Sequence, residues 1–206
     1  MLDRHLHPRL KPLLHRCVGI IDKPAITPDG LTLVGFAIGV LALPFLALGW
    51  YLAALVAIVL NRLFDGLDGA LARRRGLTDA GGFLDISLDF LFYAIVPFGF
   101  ILAAPAQNAL AGGWLLFAFI GTGSSFLAFA ALAAKHQIDN PGYAHKSFYY
   151  LGGLTEGTET ILLFVLGCLF PAWFAWFAWI FGALCWMTTF TRVWSGYLTL
   201  KSHQRQ

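Results

Sequence analysis

The chain is dominated by apolar runs about as long as a bilayer is thick. Six of them, at about 31–49, 51–72, 82–104, 111–134, 148–169 and 172–198, stand out. Each approaches or exceeds the roughly 20 residues that a helix needs to cross the hydrocarbon core. Only 12% of residues are charged and 58% are hydrophobic, where a soluble domain carries about 25% charged residues. Mean hydropathy is +0.71. The expectation is an all-α polytopic membrane protein: one domain over 1–206, with 31–198 forming a six-helix bundle.

Charge orients the runs. Arg4, Arg9, Lys11, Arg16 and Lys23 precede the first; Arg73, Arg74 and Arg75 follow the second. Lys135 and Lys146 follow the fourth, and Lys201 and Arg205 the sixth. The intervening connections, near Gly49, across Pro105–Gly113 and at Phe170-Pro171, carry no Lys or Arg. The positive-inside rule then puts both termini in the cytoplasm, as six spans require. Over residues 1–22, Leu2, Leu6, Leu10, Leu13, Leu14, Val18 and Ile21 recur three and four apart among basic residues. That is the pattern of an amphipathic helix lying in the headgroup plane. The segment lacks the compact apolar core and small-residue cleavage site of a secretory leader. Trp173, Trp176 and Trp179 read as an interfacial aromatic belt. Cys17, Cys168 and Cys185 lack metal-site spacing and read as packing residues.

Four carboxylates interrupt this hydrocarbon: Asp65, Asp68, Asp85 and Asp89. An aspartate at bilayer depth costs about 2.5–3.5 kcal/mol on insertion scales, so something must offset four of them. Asp65 and Asp68 are three apart and Asp85 and Asp89 four apart, so each pair shares a helix face. The short connection between the two helices can bring those faces together. Gly66, Gly69, Gly81 and Gly82 leave room beside them. Hard oxygen donors in this number suit Mg²⁺ or Mn²⁺ in a two-metal arrangement. Arg73, and with it its neighbours, supplies cations for phosphate oxygens. The bland alternative is that Arg62 and Arg73–Arg75 simply pair with the acids near the membrane surface.

The pattern D-x-x-D-G-x-x-A-R-x7-G-x3-D-x3-D is met in full by Asp65, Asp68, Gly69, Ala72, Arg73, Gly81, Asp85 and Asp89. In this the chain resembles the CDP-alcohol phosphotransferases, membrane enzymes of phospholipid synthesis. Their amphipathic helix and six spans also resemble this chain along nearly its whole length. The resemblance implies transfer of a substituted phosphate from a CDP-linked donor to an alcohol, with release of CMP. It implies that Asp65, Asp68 and Asp85 bind a pair of divalent cations, Mg²⁺ or Mn²⁺. Asp89 would share in metal binding and act as the base that deprotonates the acceptor. Gly69, Arg73, Gly81 and Thr78 match positions near the cytidine nucleotide. The turn containing Pro28, Asp29 and Thr32 is similar to a nucleotide-contacting P-N-x-x-T turn, with Asp29 in place of asparagine.

Family members that use a phosphorylated inositol carry arginines in an R-x-E-R-x-x-I stretch. Here the stretch holds Glu156 and Glu159, but Gly157 and Thr160 replace arginines. Losing bidentate phosphate binders disfavours an acceptor that carries its own phosphate. Lys146, Glu156, Glu159 and Arg192 are the candidate acceptor residues, with His145 nearby in sequence. The expected donor is CDP-diacylglycerol with a small, non-phosphorylated polar alcohol; the alternative is CDP-ethanolamine or CDP-choline acting on diacylglycerol. A divalent-cation transporter would place its acids at the midplane and often in repeats, and neither occurs here. No nucleic-acid partner is expected. A homodimer in a bacterial inner membrane is, with its active site facing the cytoplasm. Gly121-Thr122-Gly123-Ser124-Ser125 is expected to be a packing surface.

Overall fold

In the computed structural model, residues 18–19, 22–136, 138 and 153–203 are described. They are all-helical, with no strand among them. Helix α1 spans Pro28–Val40, with Pro28 in its first turn and Thr27 as N-cap, its Oγ1 accepting from the Gly30 N–H at 3.0 Å. It breaks at Leu41 and resumes as α2, Ala42–Ala47. Pro44 explains the break, since it has no N–H for the carbonyl of Val40. Helix α3 spans Tyr51–Arg75 and ends at Gly76, whose φ of 109° favours glycine. Helix α4, Asp79–Ala103, is capped by Thr78 and runs on through Pro97. Helices α5, Pro105–Lys135, and α6, Gly157–Leu169, follow; a 3-10 turn, Pro171–Trp173, leads into α7, Phe174–His203.

Among the described residues, four helical stretches are long and apolar enough to cross a membrane: Pro28–Ala47, Asp79–Ala103, Pro105–Lys135 and Pro171–His203. Helix α3 has the length, but its arginines and aspartates dilute its apolar character, and α6 is only 13 residues long.

Three boundaries differ from the sequence expectation. The uncharged stretch Pro105–Gly113 is not a connection but the start of α5, because proline suits a first helical turn. The turn narrows to Ala104, and the Asn108 amide donates to the Phe100 carbonyl at 2.8 Å across it. The fifth run begins at Gly157 rather than 148: residues 153–156 are not helical, and 148–152 lie outside the described residues. The last helix runs five residues past its expected end, to His203. Most of the expected amphipathic helix 1–22 also lies outside the described residues, as do His145 and Lys146. Val18, within its reach, is fully buried beside Ala70 and Leu71 of α3.

Lipid is as apolar as leucine, so close packing rather than water exclusion must hold the helices together. Small residues permit it. A Cβ on Gly39 would sit 2.9 Å from both the Asn61 amide nitrogen and the Phe92 ring, and one on Gly35 would sit 2.7 Å from Phe64. Phe100 and Phe174 stack at 4.0 Å between centroids. Cys168 and Cys185 are buried free thiols, as packing residues should be. Trp173, Trp176 and Trp179 face outward. Helix α1 packs closely against both α3 and α4, and α3 has its nearest backbone neighbour in α1 rather than α4. The two acid-bearing helices therefore meet through side chains, with α1 as the common support.

Candidate active site

Carboxylate oxygens of Asp65, Asp68 and Asp85 all lie within 4.8 Å of one another. Helical spacing supplies the first pair from α3, and the Gly76 turn returns α4 at the depth that adds Asp85. Asp68 is almost fully buried, and the Thr32 hydroxyl of α1 donates to its Oδ2 at 2.6 Å. Thr32 thus orients an acid, a role the sequence did not assign to it. Three carboxylates that each offer a hard oxygen are a donor set that fits Mg²⁺ or Mn²⁺.

Asp89 stands apart from that set. Its Oδ1 accepts from Arg62 Nη2 at 2.7 Å. Arg62 Nη1 lies 3.7 Å from Asp65 Oδ2 and 3.5 Å from the Tyr93 hydroxyl, and its Nε donates to Asn61 Oδ1 at 2.8 Å. The guanidinium carbon is 4.7 Å from the centroid of the Phe92 ring. The sequence admitted Arg62 only as a surface ion-pair partner. Its position one helical turn before Asp65 was the available signal.

A cavity of about 990 Å³ opens beside the acids. Every residue expected at the nucleotide lines it: Pro28, Asp29, Thr32, Gly69, Arg73, Thr78 and Gly81. Asp68, Asp85 and Asp89 line it too, while Asp65 lines a small adjoining cleft. Thr78 Oγ1 accepts from the Gly81 N–H at 3.1 Å, and a Cβ on Gly81 would sit 3.0 Å from Asp29 Oδ1. The starts of α1 and α4 therefore converge at one end of the cavity. Arg73 folds back over Gly69, where a Cβ would meet its guanidinium at 3.2 Å. Its neighbours do not join it. Arg75 donates to Asp22 and to the carbonyls of Lys23 and Ile26, and Arg74 Nε lies 3.1 Å from Asp22 Oδ2. They strap the segment before α1 onto the end of α3.

At the far end, the residues expected to receive the acceptor divide. Arg192 lines the cavity, nearly buried, with Nη1 3.4 Å from the Thr122 carbonyl. Glu156 lines it as well, but its side chain is the N-cap of α6. Glu159 does not reach the cavity; its Oε2 accepts from the Glu156 N–H at 3.1 Å, completing a reciprocal capping box. Both glutamates are thus engaged by the open backbone N–H groups of a helix start, with Glu156 still at the cavity wall. Lys146 lies outside the described residues. Unassigned from sequence, Thr155 also lines the cavity, its N–H and hydroxyl both directed at Thr188 Oγ1, 3.1 and 3.0 Å away. Gly121 and Gly123 pack against Trp186 and Phe90, but the small-residue surface is not packing alone, since Thr122, Gly123 and Ser124 also line the cavity.

The family model for CDP-alcohol phosphatidyltransferase matches residues 25–194. Inner membrane protein YnjF of Escherichia coli is 94% identical over 206 residues, the full length of both chains. Phosphatidylinositol phosphate synthase of Mycobacteroides abscessus is 30% identical over 159 residues, 74% of this chain and 66% of the relative. The crystal structure of Mycobacterium tuberculosis phosphatidylinositol phosphate synthase with CDP-DAG bound has a TM-score of 0.64 at 23% identity, covering 92% of this chain and 94% of that one. The same enzyme in complex with manganese and citrate has a TM-score of 0.66 at 21% identity, over 89% and 88%. At those identities the two crystal structures establish a shared fold.

Proposed function

The chain belongs to the CDP-alcohol phosphatidyltransferase family, and from that premise we propose that it moves a phosphatidyl group from CDP-diacylglycerol to a small, non-phosphorylated polar alcohol, releasing CMP. The observation that carries this is the Asp65, Asp68 and Asp85 cluster at the edge of a cavity that also holds Arg73 and an apolar wall including Phe90, Leu116, Ile120 and Leu127. A pyrophosphate fits Arg73 and the cations that the acids would hold, and acyl chains fit the wall.

Asp65, Asp68 and Asp85, with Asp89 sharing, would hold two Mg²⁺ or Mn²⁺ ions, which would supply positive charge for the attacked phosphate and the departing CMP. The starts of α1 and α4 present backbone N–H groups near the nucleotide. Asp89 takes the proton of the acceptor hydroxyl. The hydroxyl oxygen then bonds to the lipid-side phosphorus, and the bond from that phosphorus to the CMP oxygen breaks. Gly157 and Thr160 stand where arginines would grip an acceptor phosphate, and Thr160 instead donates to the Glu156 carbonyl at 3.0 Å. This departs from the arginine-bearing R-x-E-R-x-x-I pattern, and Arg192 is a nearly buried cation at that end. Six spans, cytoplasmic termini with an active site facing the cytoplasm, a homodimer and an inner-membrane location complete the proposal; the name of the near-identical Escherichia coli protein supports the last.

The test is CMP release from labelled CDP-diacylglycerol by purified protein with Mn²⁺ and a panel of alcohols. Inositol and glycerol should be preferred over inositol phosphate and glycerol 3-phosphate. Preference for either phosphate would overturn the acceptor assignment, and turnover only with CDP-choline or CDP-ethanolamine plus diacylglycerol would overturn the donor. Gly157→Arg with Thr160→Arg should shift preference toward the phosphorylated alcohols.

A further inference from the structure

Thr188, in the middle of α7, is fully buried and does not itself line the cavity, yet it holds a segment that does. We propose that Thr188 is a positioning residue that docks the start of α6 onto α7 and so sets the acceptor end of the cavity, an inference that rests on placing the acceptor alcohol there.

Residues 153–156 are not helical, so their backbone N–H groups need partners that a helix would otherwise supply. Gly153 N–H donates to Glu156 Oε1 at 3.3 Å, and Glu156 N–H to Glu159 Oε2 at 3.1 Å, both local bonds. Thr155 N–H instead donates to Thr188 Oγ1 at 3.1 Å, and the Thr155 hydroxyl donates to the same oxygen at 3.0 Å. That tie spans 33 residues and joins the segment to α7, whereas α6 itself lies closer to α3. Both threonines are buried, and where water is excluded an N–H that loses its acceptor finds no substitute. Sterics fix the same contact, since a Cβ on Gly153 would overlap Thr188 Cγ2. Thr188 follows Cys185 by three residues and precedes Arg192 by four, so the three share a face of α7. Cys185 and Arg192 line the cavity, and Thr155, Glu156, Gly157 and Thr160 continue that lining from the α6 side. Releasing the tie would shift this lining relative to Arg192 and leave Arg73 and the acids at the other end in place.

The test separates KM for the acceptor from KM for the donor, with inositol and glycerol as acceptors. Thr188→Val keeps the shape but offers the Thr155 N–H no oxygen. It should raise the acceptor KM about tenfold, the scale of one lost buried hydrogen bond. KM for CDP-diacylglycerol and kcat at saturating alcohol should hold. Thr188→Ser keeps the hydroxyl and should stay within about twofold of the wild type. Gly153→Ala should raise the acceptor KM as Thr188→Val does, and adding Thr188→Ser, which deletes the methyl that the new Cβ strikes, should restore it. Rescue by a smaller second residue identifies the contact, and the split between the two KM values identifies its function. Hydrogen exchange across residues 153–160, measured without substrate, should quicken in both single variants that break the contact. Should Thr188→Val not fold, Gly153→Ala and its double variant carry the test. An unchanged acceptor KM, a loss that falls on donor and acceptor alike, unchanged exchange, or a double variant that does not recover would each overturn the proposal. If the wild type turns over only phosphorylated alcohols, the proposed acceptor is wrong, and the same comparison with glycerol 3-phosphate still decides the role of Thr188.

Discussion

At one end of the cavity, Asp65 and Asp68, three residues apart on α3, come together with Asp85 of α4. At the other, Glu156 and Glu159, also three apart, turn back onto their own helix. The spacing is alike and the outcome opposite, because the two pairs sit at different places on a helix. In the middle of α3 the backbone N–H groups are already bonded within the helix, so Asp65 and Asp68 are left for other partners. In the first turn of α6 those N–H groups have no intrahelical acceptor, and a carboxylate there gains both a hydrogen bond and a favourable helix dipole. Acid spacing therefore signals chemistry only where the backbone has no claim on the acids.

The largest effect expected from this contrast is at the interior acids. Asp68→Ala or Asp85→Ala should remove several kcal/mol of transition-state stabilisation, about 10³-fold or more in CMP release. A chelator should do the same to the wild type; activity that survives it would break the metal assignment. Asp89→Asn, which keeps shape but not basicity, should lower kcat by about 10²–10⁴-fold while CDP-diacylglycerol still binds. If donor binding is lost as completely as in Asp68→Ala, Asp89 is chiefly a ligand.

Effects at the α6 start should be of another kind. Glu159→Ala should cost about 1 kcal/mol of stability through the lost cap, visible in thermal unfolding in detergent, with KM for the acceptor alcohol unchanged. A rise in that KM at unchanged stability would return Glu159 to the acceptor site. Smallest of all, Arg74→Ala should change stability by at most about 1 kcal/mol, since the side chain is half exposed and such pairs are worth little. A large loss of turnover there would mean that the strap over Asp22 bears on the nucleotide end of the cavity.

The helical fold, the membrane environment and the acid set were legible in sequence because each is written in short-range order. Run length meets bilayer thickness, and a three- or four-residue spacing puts side chains on one face whatever surrounds the helix. The residues of the eight-position motif were legible for the same reason. What sequence could not reach depended on partners brought from far along the chain. Thr32 orients Asp68 from 36 residues away, Arg62 holds Asp89 from 27, and Arg75 binds Asp22 from 53. The packing of α1 against both acid-bearing helices decides the first of these, and the way α3 and α4 face each other decides the second. The same tertiary arrangement sends Arg73 to the cavity and its two neighbours to Asp22. A charged side chain in a sparse-water setting takes the nearest complementary group, and which group is nearest is settled only when the helices have packed.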